Sequence, residues 1–387
     1  MIGSLPEMTP THRSFFPGLL AAFLVWCAVS SLGYAQNAQP PSEPRISQPG
    51  VYQGFYTEDE LYDDYELSSF YLPMRDSVRI AVDVYLPKGL QPGKQIPTIF
   101  YQTRYIRRLQ LKWFFRMFKG LVTTNVPVHE IEWFVRHGYA VVINDARGSG
   151  ASFGKRPTEL RPAEIKDGAE VAEWIVNQPW SNGNIGLTGV SYPGTTALLH
   201  PYTHHPGFKA CMPRHAIWDL YLHVSNPGGV REREFMKAWG LTTQSLDDGE
   251  FGFYGRQAKM AVKGAHPVDG DKRGKLLQQA LDDHGKNFDI IAETKPIVYR
   301  DHVSEISGVT LNESSGFQYR QAIEESGVPY YFLTGWHDGA IVNSNIGAYK
   351  ALDNAQRLII GPWDHGPANF TSPYRTRLNA EKDSAEV

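Results

Sequence analysis

An apolar run that ends in a glycine-flanked serine constrains the fold of this chain more than any other feature of its sequence. Residues 184–194 read NIGLTGVSYPG, which is typical of a buried strand that turns sharply into a helix with Ser191 at the corner. Gly189 allows the helix to pass close to the strand. Pro193 stands where such corners usually have glycine, and it suits the first turn of a helix because no N–H donor is needed there. The segment predicts a nucleophile elbow, with an ordinary strand-to-helix turn as the alternative.

Short apolar runs alternate with helical patterns on both sides of this corner. The runs suit strands that are buried on both faces; they lie at residues 96–101, 138–145, 209–212, 329–334 and 357–360. Apolar residues from Ile165 to Val176 recur at helical spacing. This alternation predicts an α/β fold with a mostly parallel, doubly wound sheet. Reactive groups in such sheets lie on loops at the carboxyl ends of the strands.

Two later loops offer partners for Ser191. Asp338, in GWHDG, follows the run at 329–334, and His365, in GPWDHG, follows the run at 357–360. A serine hydroxyl becomes a useful nucleophile when a histidine takes its proton and a carboxylate orients that histidine. The chain order Ser, Asp, His is that of α/β-hydrolases. His337, next to Asp338, is the alternative base.

Five motifs together give the sequence a family resemblance. In chain order they are MRDSVRIAVDVYLP at 74–87, DARG at 145–148, GVSYPG at the corner, GWHDG and GPWDHG. From about residue 65 to residue 365 the sequence resembles the family of cocaine esterase and Xaa-Pro dipeptidyl-peptidase, which includes glutaryl acylases and α-amino acid ester hydrolases. The resemblance implies an α/β-hydrolase fold and hydrolysis of esters or amides without a metal or other cofactor.

The resemblance also implies roles for individual residues. Ser191 is the expected nucleophile, His365 the general base and Asp338 the acid that orients it. The backbone N–H of Tyr192 is the first expected donor to the oxyanion. The family's second donor is a tyrosine hydroxyl that aligns with Tyr105, or failing that with Tyr101; the alternative for Tyr105 is a packing role.

Other polar residues are given structural interpretations beside functional ones. Asp219 is a candidate to bind a substrate ammonium group, with a buried structural carboxylate as the alternative. Asp145 and Arg147 predict a structural ion pair at the end of a strand. Three histidines after the corner lack a recognisable ligand spacing, so a surface cluster is predicted rather than a metal site. They are His200, His204 and His205.

The first residues of the chain predict export. Within residues 1–35, the apolar run at 19–29 is too short to span a bilayer but suits the core of a signal peptide, and small residues near Ala35 suit cleavage. We therefore predict a secreted or periplasmic protein without a membrane segment after cleavage, with an uncleaved anchor as the alternative. Cleavage would remove Cys27 and leave Cys211 without a disulfide partner. The net charge of −3 and the lack of a basic stripe give no reason to expect a nucleic-acid partner.

The pattern also divides the chain into regions. A flexible leader at 36–60 precedes a hydrolase core at 61–226 and 326–370, interrupted at 227–325 by helical patterns at 231–240 and 275–284. An insertion at this place predicts a helical cap over the active site. After a polar tail at 371–387 the sequence has no room for the jelly-roll domain that normally follows in the family. A fragment of a longer protein is therefore favoured over a natural form without that domain.

Together these features predict a serine hydrolase that cleaves ester or amide bonds of small molecules or short peptides through an acyl-enzyme intermediate. Xaa-Pro dipeptidyl-peptidase activity is one alternative, but it needs a carboxylate for the substrate's amino terminus that the sequence does not place securely. A catalytically silent binding scaffold with the same fold is the other. The sequence does not predict an oligomeric state.

Overall fold

A computed structural model describes residues 59–117, 124, 126–251 and 256–370. The predicted signal peptide, the polar tail and nearly all of the predicted leader lie outside these residues. Within them, no helix is both long enough and apolar enough to cross a bilayer.

An eight-stranded sheet forms the centre of the fold. Its strands are β1 (Tyr65–Pro73), β2 (Arg79–Pro87), β3 (Ile96–Thr103), β5 (Ala140–Asp145), β6 (Ser181–Val190), β7 (Phe208–Arg214), β9 (Tyr330–Gly335) and β10 (Gln356–Gly361). Their order across the sheet is β1-β2-β5-β3-β6-β7-β9-β10. The six strands from β5 to β10 in this order run parallel to one another. Strand β2 is antiparallel to its neighbour β5, and β1 is antiparallel to β2. The predicted α/β class with a mostly parallel sheet is confirmed.

Helices cover the faces of this sheet. They are α1 (Val128–Arg136), α2 (Pro162–Val176), α3 (Tyr192–Leu199) and α9 (Gly339–Ala351). Helix α2 begins with a proline, which needs no acceptor for an N–H, and it buries Val171 and Ile175 against the sheet. Each fully buried side chain of this size stabilises the fold by about 1.5–3 kcal/mol. The helical spacing read from the sequence thus corresponds to the face that packs on the core.

Residues 227–325, which we call the insertion, separate β7 from β9. The insertion contains α4 (Arg233–Asp247), α5 (Arg256–Ala261), α6 (Lys275–His284), α7 (Ile290–Thr294) and α8 (Arg320–Glu325). Helices α4 and α6 lie where helices were predicted. The insertion also has a strand that was not predicted, β8 (Val262–Ala265), which pairs with β4 (Leu109–Leu111) of the core. A buried ion pair of 3.1 Å between Arg104 and Asp247 joins α4 to the loop after β3.

The predicted ion pair between Asp145 and Arg147 is wrong. Asp145 instead binds the Arg107 side chain at 3.0 Å, and Arg147 binds Asp167 at 2.7 Å and Asp76 at 2.6 Å. The Ser149 N–H donates to the Ala146 carbonyl at 3.1 Å, so the chain turns after β5 and directs the two side chains into different networks.

The predicted surface cluster of histidines is wrong for one of its members. His200 is buried and stacks on Phe100 with ring centroids 5.4 Å apart, and burial lowers its pKa to about 3. His204 is exposed, and His205 contacts Glu173 at 3.1 Å. The chain continues past α3 as a 3-10 turn that includes Pro201, and this turn keeps His200 against the sheet.

Candidate active site

Ser191 occupies the sharp turn between β6 and α3 that the sequence predicts. Its backbone has φ 66° and ψ −121°, a conformation that costs a residue with a side chain roughly 1–3 kcal/mol. A Cβ atom at Gly189 would lie 2.4 Å from Pro193, and one at Gly194 would lie 2.4 Å from the Arg214 carbonyl oxygen. Only glycine therefore allows α3 to cross the strands this closely.

Asp338 and His365 contact each other on the loops that follow β9 and β10. Asp338 follows β9 and precedes α9, while His365 lies between two short strands, β11 (Trp363–Asp364) and β12 (Gly366–Phe370). His365 Nδ1 is 2.8 Å from Asp338 Oδ1 and 3.1 Å from Oδ2. Because Nδ1 is bound to the carboxylate, Nε2 is the nitrogen available as a base. The His365 side chain is 42% exposed, so a substrate can reach it.

The electrostatics of this pair suit an ionised acid beside a basic imidazole. Burial alone would raise the pKa of Asp338, but the charge of His365 and hydrogen bonds from His215 and His365 outweigh it and lower that pKa. Burial alone would lower the pKa of His365, but the Asp338 carboxylate outweighs it and raises that pKa. His337, the alternative base, is exposed, and it is His365 that contacts Asp338.

A second histidine contacts the same carboxylate, and it was not predicted from the sequence. His215 directly follows β7, and its Nδ1 lies 2.6 Å from Asp338 Oδ2. The signal that could have found it is its place at a strand end, the rule that found Asp338 and His365. Within the described part of the chain, these three residues are also the one group whose side-chain N and O atoms lie close enough together to hold a metal ion. Hydrogen bonds already join Asp338 to both histidines.

Tyr105 and Tyr192, the two residues predicted to bind an oxyanion, both lie beside Ser191. The Tyr105 hydroxyl accepts a hydrogen bond of 3.2 Å from Trp239 Nε1 of the insertion, and it also interacts with the Ser191 side chain. Tyr192 is the first residue of α3, where a backbone N–H has no acceptor within the helix. Tyr101, the second choice, donates its hydroxyl to Glu130 at 2.6 Å and is thereby engaged elsewhere.

A buried hydrogen-bond network anchors the side chain of Tyr192 in the first turn of α3. The Tyr192 hydroxyl donates to Glu164 at 2.6 Å and accepts from Arg156 at 2.5 Å. All three side chains are buried, and removing one partner of such a network leaves a buried charge or donor unpaired. The backbone of Tyr192 is therefore fixed by its own side chain.

Asp219, the predicted ammonium-binding residue, is engaged by other groups. Its Oδ2 atom accepts from Arg300 at 2.6 Å and its Oδ1 atom accepts from the Leu222 N–H at 2.9 Å. The side chain is buried. These contacts favour the alternative interpretation, a structural carboxylate.

The mostly parallel sheet, the strained serine turn and the acid and base at neighbouring strand ends together define an α/β-hydrolase. Comparison with protein families agrees with this class. Residues 76–367 match the X-Pro dipeptidyl-peptidase (S15 family). The chain belongs to this family of hydrolases, as the five sequence motifs suggested.

Individual relatives include esterases. A Mycobacterium tuberculosis protein named as a serine esterase is 36% identical over 341 residues, covering 81% of this chain and 54% of that protein. The cocaine esterase of a Rhodococcus species is 30% identical over 313 residues, covering 77% of this chain and 48% of that enzyme. A solved CocE/NonD family hydrolase from Staphylococcus aureus shares the fold, with a TM-score of 0.56 and 19% identity over 83% of this chain and 50% of that one. The chain spans about half the length of these relatives.

Proposed function

We propose that this chain is a serine hydrolase that cleaves esters through an acyl-enzyme intermediate. Ser191 is the nucleophile, His365 the general base and Asp338 the residue that orients His365. The observation that carries the proposal is the 2.8 Å contact between Asp338 and His365, on loops after β9 and β10 of the sheet whose strand β6 ends in the strained turn of Ser191. This arrangement of nucleophile, base and orienting acid is the one that activates a serine hydroxyl.

The reaction proceeds in two halves. His365 Nε2 takes the hydroxyl proton while Ser191 Oγ attacks the carbonyl carbon, and it then gives that proton to the departing alkoxide. Water repeats the sequence on the acyl-enzyme and releases the acid. The negative oxygen of each tetrahedral intermediate accepts hydrogen bonds from the Tyr192 N–H and the Tyr105 hydroxyl. Trp239 donates to the Tyr105 oxygen, so the hydroxyl hydrogen of Tyr105 is not used in that bond and can be donated to the oxyanion.

Two observations favour esters over Xaa-Pro peptides as substrates. Two relatives that cover more than three quarters of this chain are named as a serine esterase and a cocaine esterase, whereas a protein named as an Xaa-Pro dipeptidyl-peptidase is 28% identical over 51% of the chain. A dipeptidyl-peptidase also has to bind the free amino terminus of its substrate. The candidate carboxylate for that role, Asp219, is already paired with Arg300.

A fluorophosphonate probe tests the nucleophile. We expect the probe to label the protein once, on the peptide that contains Ser191, as shown by digestion and mass spectrometry, and an ester substrate to compete with it. Folded protein that takes no label would instead indicate the silent scaffold, and a label on another serine would refute the assignment.

A panel of p-nitrophenyl esters, an α-amino ester and Ala-Pro-p-nitroanilide tests the substrate class. Faster turnover of Ala-Pro-p-nitroanilide than of every ester would contradict the proposal.

We further propose that the protein is exported and cleaved after Ala35. The apolar run at 19–29 supports this proposal, since it suits a signal peptide and is too short for a membrane span. Expressed in a bacterium with its full sequence, the protein is expected in the periplasm or medium, with Gln36 as its first residue by amino-terminal sequencing. A charged variant, Leu24→Arg, is the control that should keep the chain in the cytoplasm. Retention of Met1 in the exported protein would support the uncleaved anchor instead.

A further inference from the structure

His215 is a buried titratable group that the two-step reaction does not use. It follows β7 directly, and its backbone N–H donates to the Leu333 carbonyl of β9 at 2.8 Å. The next residue, Ala216, exchanges hydrogen bonds with Asn345 of α9, the helix that begins just after Asp338. The backbone on either side of the imidazole is thus tied to both elements that carry Asp338.

The imidazole of His215 shares the Asp338 carboxylate with His365. His215 Nδ1 is 2.6 Å from Oδ2, His365 Nδ1 is 2.8 Å from Oδ1, and the two rings lie 5.6 Å apart at 74°. An ionised carboxylate only accepts hydrogen bonds, so both Nδ1 atoms carry hydrogen. The His215 hydrogen bond therefore restrains rotation of the carboxylate and leaves Oδ1 for His365.

The surroundings of His215 favour its neutral form. Its Nε2 atom is buried, and the described residues offer it no hydrogen-bond partner, so a second N–H there would be unsatisfied. The charged groups around it are Asp338, His365 and Arg214, and His365 in turn faces Asp338 and Asp364. Burial lowers the pKa of His215, the Asp338 hydrogen bond opposes this effect, and His365 and Arg214 add to it.

We propose that His215 is a positioning residue for the hydrolysis: its Nδ1–H, donated to Asp338 Oδ2, fixes the carboxylate against His365, and it stays neutral while His365 takes and gives the proton. A neutral donor holds the carboxylate without adding a positive charge that would oppose protonation of His365. The inference rests on the proposed function of Asp338 and His365. The proposed role requires the tautomer with hydrogen on Nδ1 and its hydrogen bond to Asp338. A ring that only fills space would need neither.

Two substitutions separate the hydrogen bond from the packing. His215→Leu fills the space without a donor, whereas the side-chain amide of His215→Asn places an N–H donor close to the position of Nδ1. Without the donor the Asp338 carboxylate becomes more basic and holds a proton on His365 more tightly. We expect His215→Leu to lower kcat for a p-nitrophenyl ester about tenfold with little change in KM, and to move the acid limb of kcat/KM up by about half a pH unit or more. His215→Asn should remain within about threefold of the wild type, with its acid limb unchanged.

The matched control is His284→Leu, which removes another buried imidazole, one bonded to the Ser152 carbonyl at 2.7 Å. It should leave the acid limb in place. Equal losses in the Leu and Asn variants of His215 with an unmoved acid limb would show that the ring only fills space, and would overturn the inference. An active His215→Leu protein with wild-type kcat and pH profile would overturn it as well.

A measurement on inactive protein separates this inference from the proposed function. In Ser191→Ala protein labelled with ¹⁵N-histidine, the NMR signal that disappears when His215→Asn is added identifies His215, and we expect it to be that of the neutral Nδ1–H tautomer from pH 5 to pH 8. The opposite tautomer, or a positive charge at His215 above pH 5, would refute the inference even if Ser191 proves to be the nucleophile. Failure of Ser191 to react with a fluorophosphonate would refute the proposed function and leave this signal unaffected.

Discussion

Replacing Ser191 by alanine is expected to lower kcat for a p-nitrophenyl ester about a millionfold. The alanine side chain has no atom that can form the acyl bond, and what remains is the effect of binding and of the oxyanion donors on direct attack by water. Alanine and serine have similar backbone preferences, so the strained turn should persist. The measurement is steady-state hydrolysis at saturating ester, with thermal unfolding to show that the variant is folded.

A second serine with a positive φ supplies the control. Ser77 has φ 67° in the exposed turn between β1 and β2, so Ser77→Ala makes the same chemical change at another residue with positive φ. It should keep full activity. A folded Ser191→Ala protein that loses less than about a hundredfold would mean that another residue attacks the ester.

Replacing Asp338 by asparagine is expected to lower kcat about ten-thousandfold, and the reason lies in the two histidines on its carboxylate. His215 donates to one oxygen, so the single oxygen of an asparagine will accept that bond and its NH₂ group will face His365 Nδ1. A donor at that place forces His365 into the tautomer with hydrogen on Nε2. That tautomer cannot accept the proton of Ser191.

The same substitution should also shift the acid limb of the pH profile of kcat/KM in a definite direction. Asp338 raises the pKa of His365 above its ordinary value near 6.5, and the base is active only when neutral, so the wild-type acid limb of kcat/KM should lie above pH 6.5. In Asp338→Asn the charge is lost while burial still lowers the pKa, so the limb of any residual activity should move down. Asp353→Asn, at an acid with 87% of its side chain exposed, is the control. An acid limb that stays in place in Asp338→Asn would show that Asp338 does not act on His365.

Much of the fold and the candidate acid and base followed from local sequence patterns. The apolar runs predicted the parallel strands because strands covered on both faces have little polar surface to display. Asp338 and His365 were found because each follows such a run, and the rule about carboxyl ends of strands needs no knowledge of distant contacts. The glycines of the elbow were informative for a similar reason, since their effect is confined to one turn.

The features that the sequence did not reveal depend on contacts between distant residues. Asp145 binds Arg107 because the loop after β3 lies against the end of β5, and nothing near Asp145 in the sequence distinguishes Arg107 from Arg147. Strand β8 is recognisable only through its pairing with β4. His215 stands alone after β7 without a motif, and its meaning comes from the carboxylate it meets, which is 123 residues away in the chain.

Two consecutive residues at the end of β7 contact Ser191 and Asp338, the proposed nucleophile and the proposed orienting acid. The Arg214 carbonyl accepts from the Ser191 N–H at 3.0 Å, and the His215 imidazole binds Asp338 at 2.6 Å. The spacing between the loops that carry Ser191 and Asp338 is therefore fixed by Arg214 and His215, which lie outside the insertion. We therefore expect that much of the insertion can be exchanged without realigning Ser191 and Asp338, provided that the Trp239 contact to Tyr105 is kept.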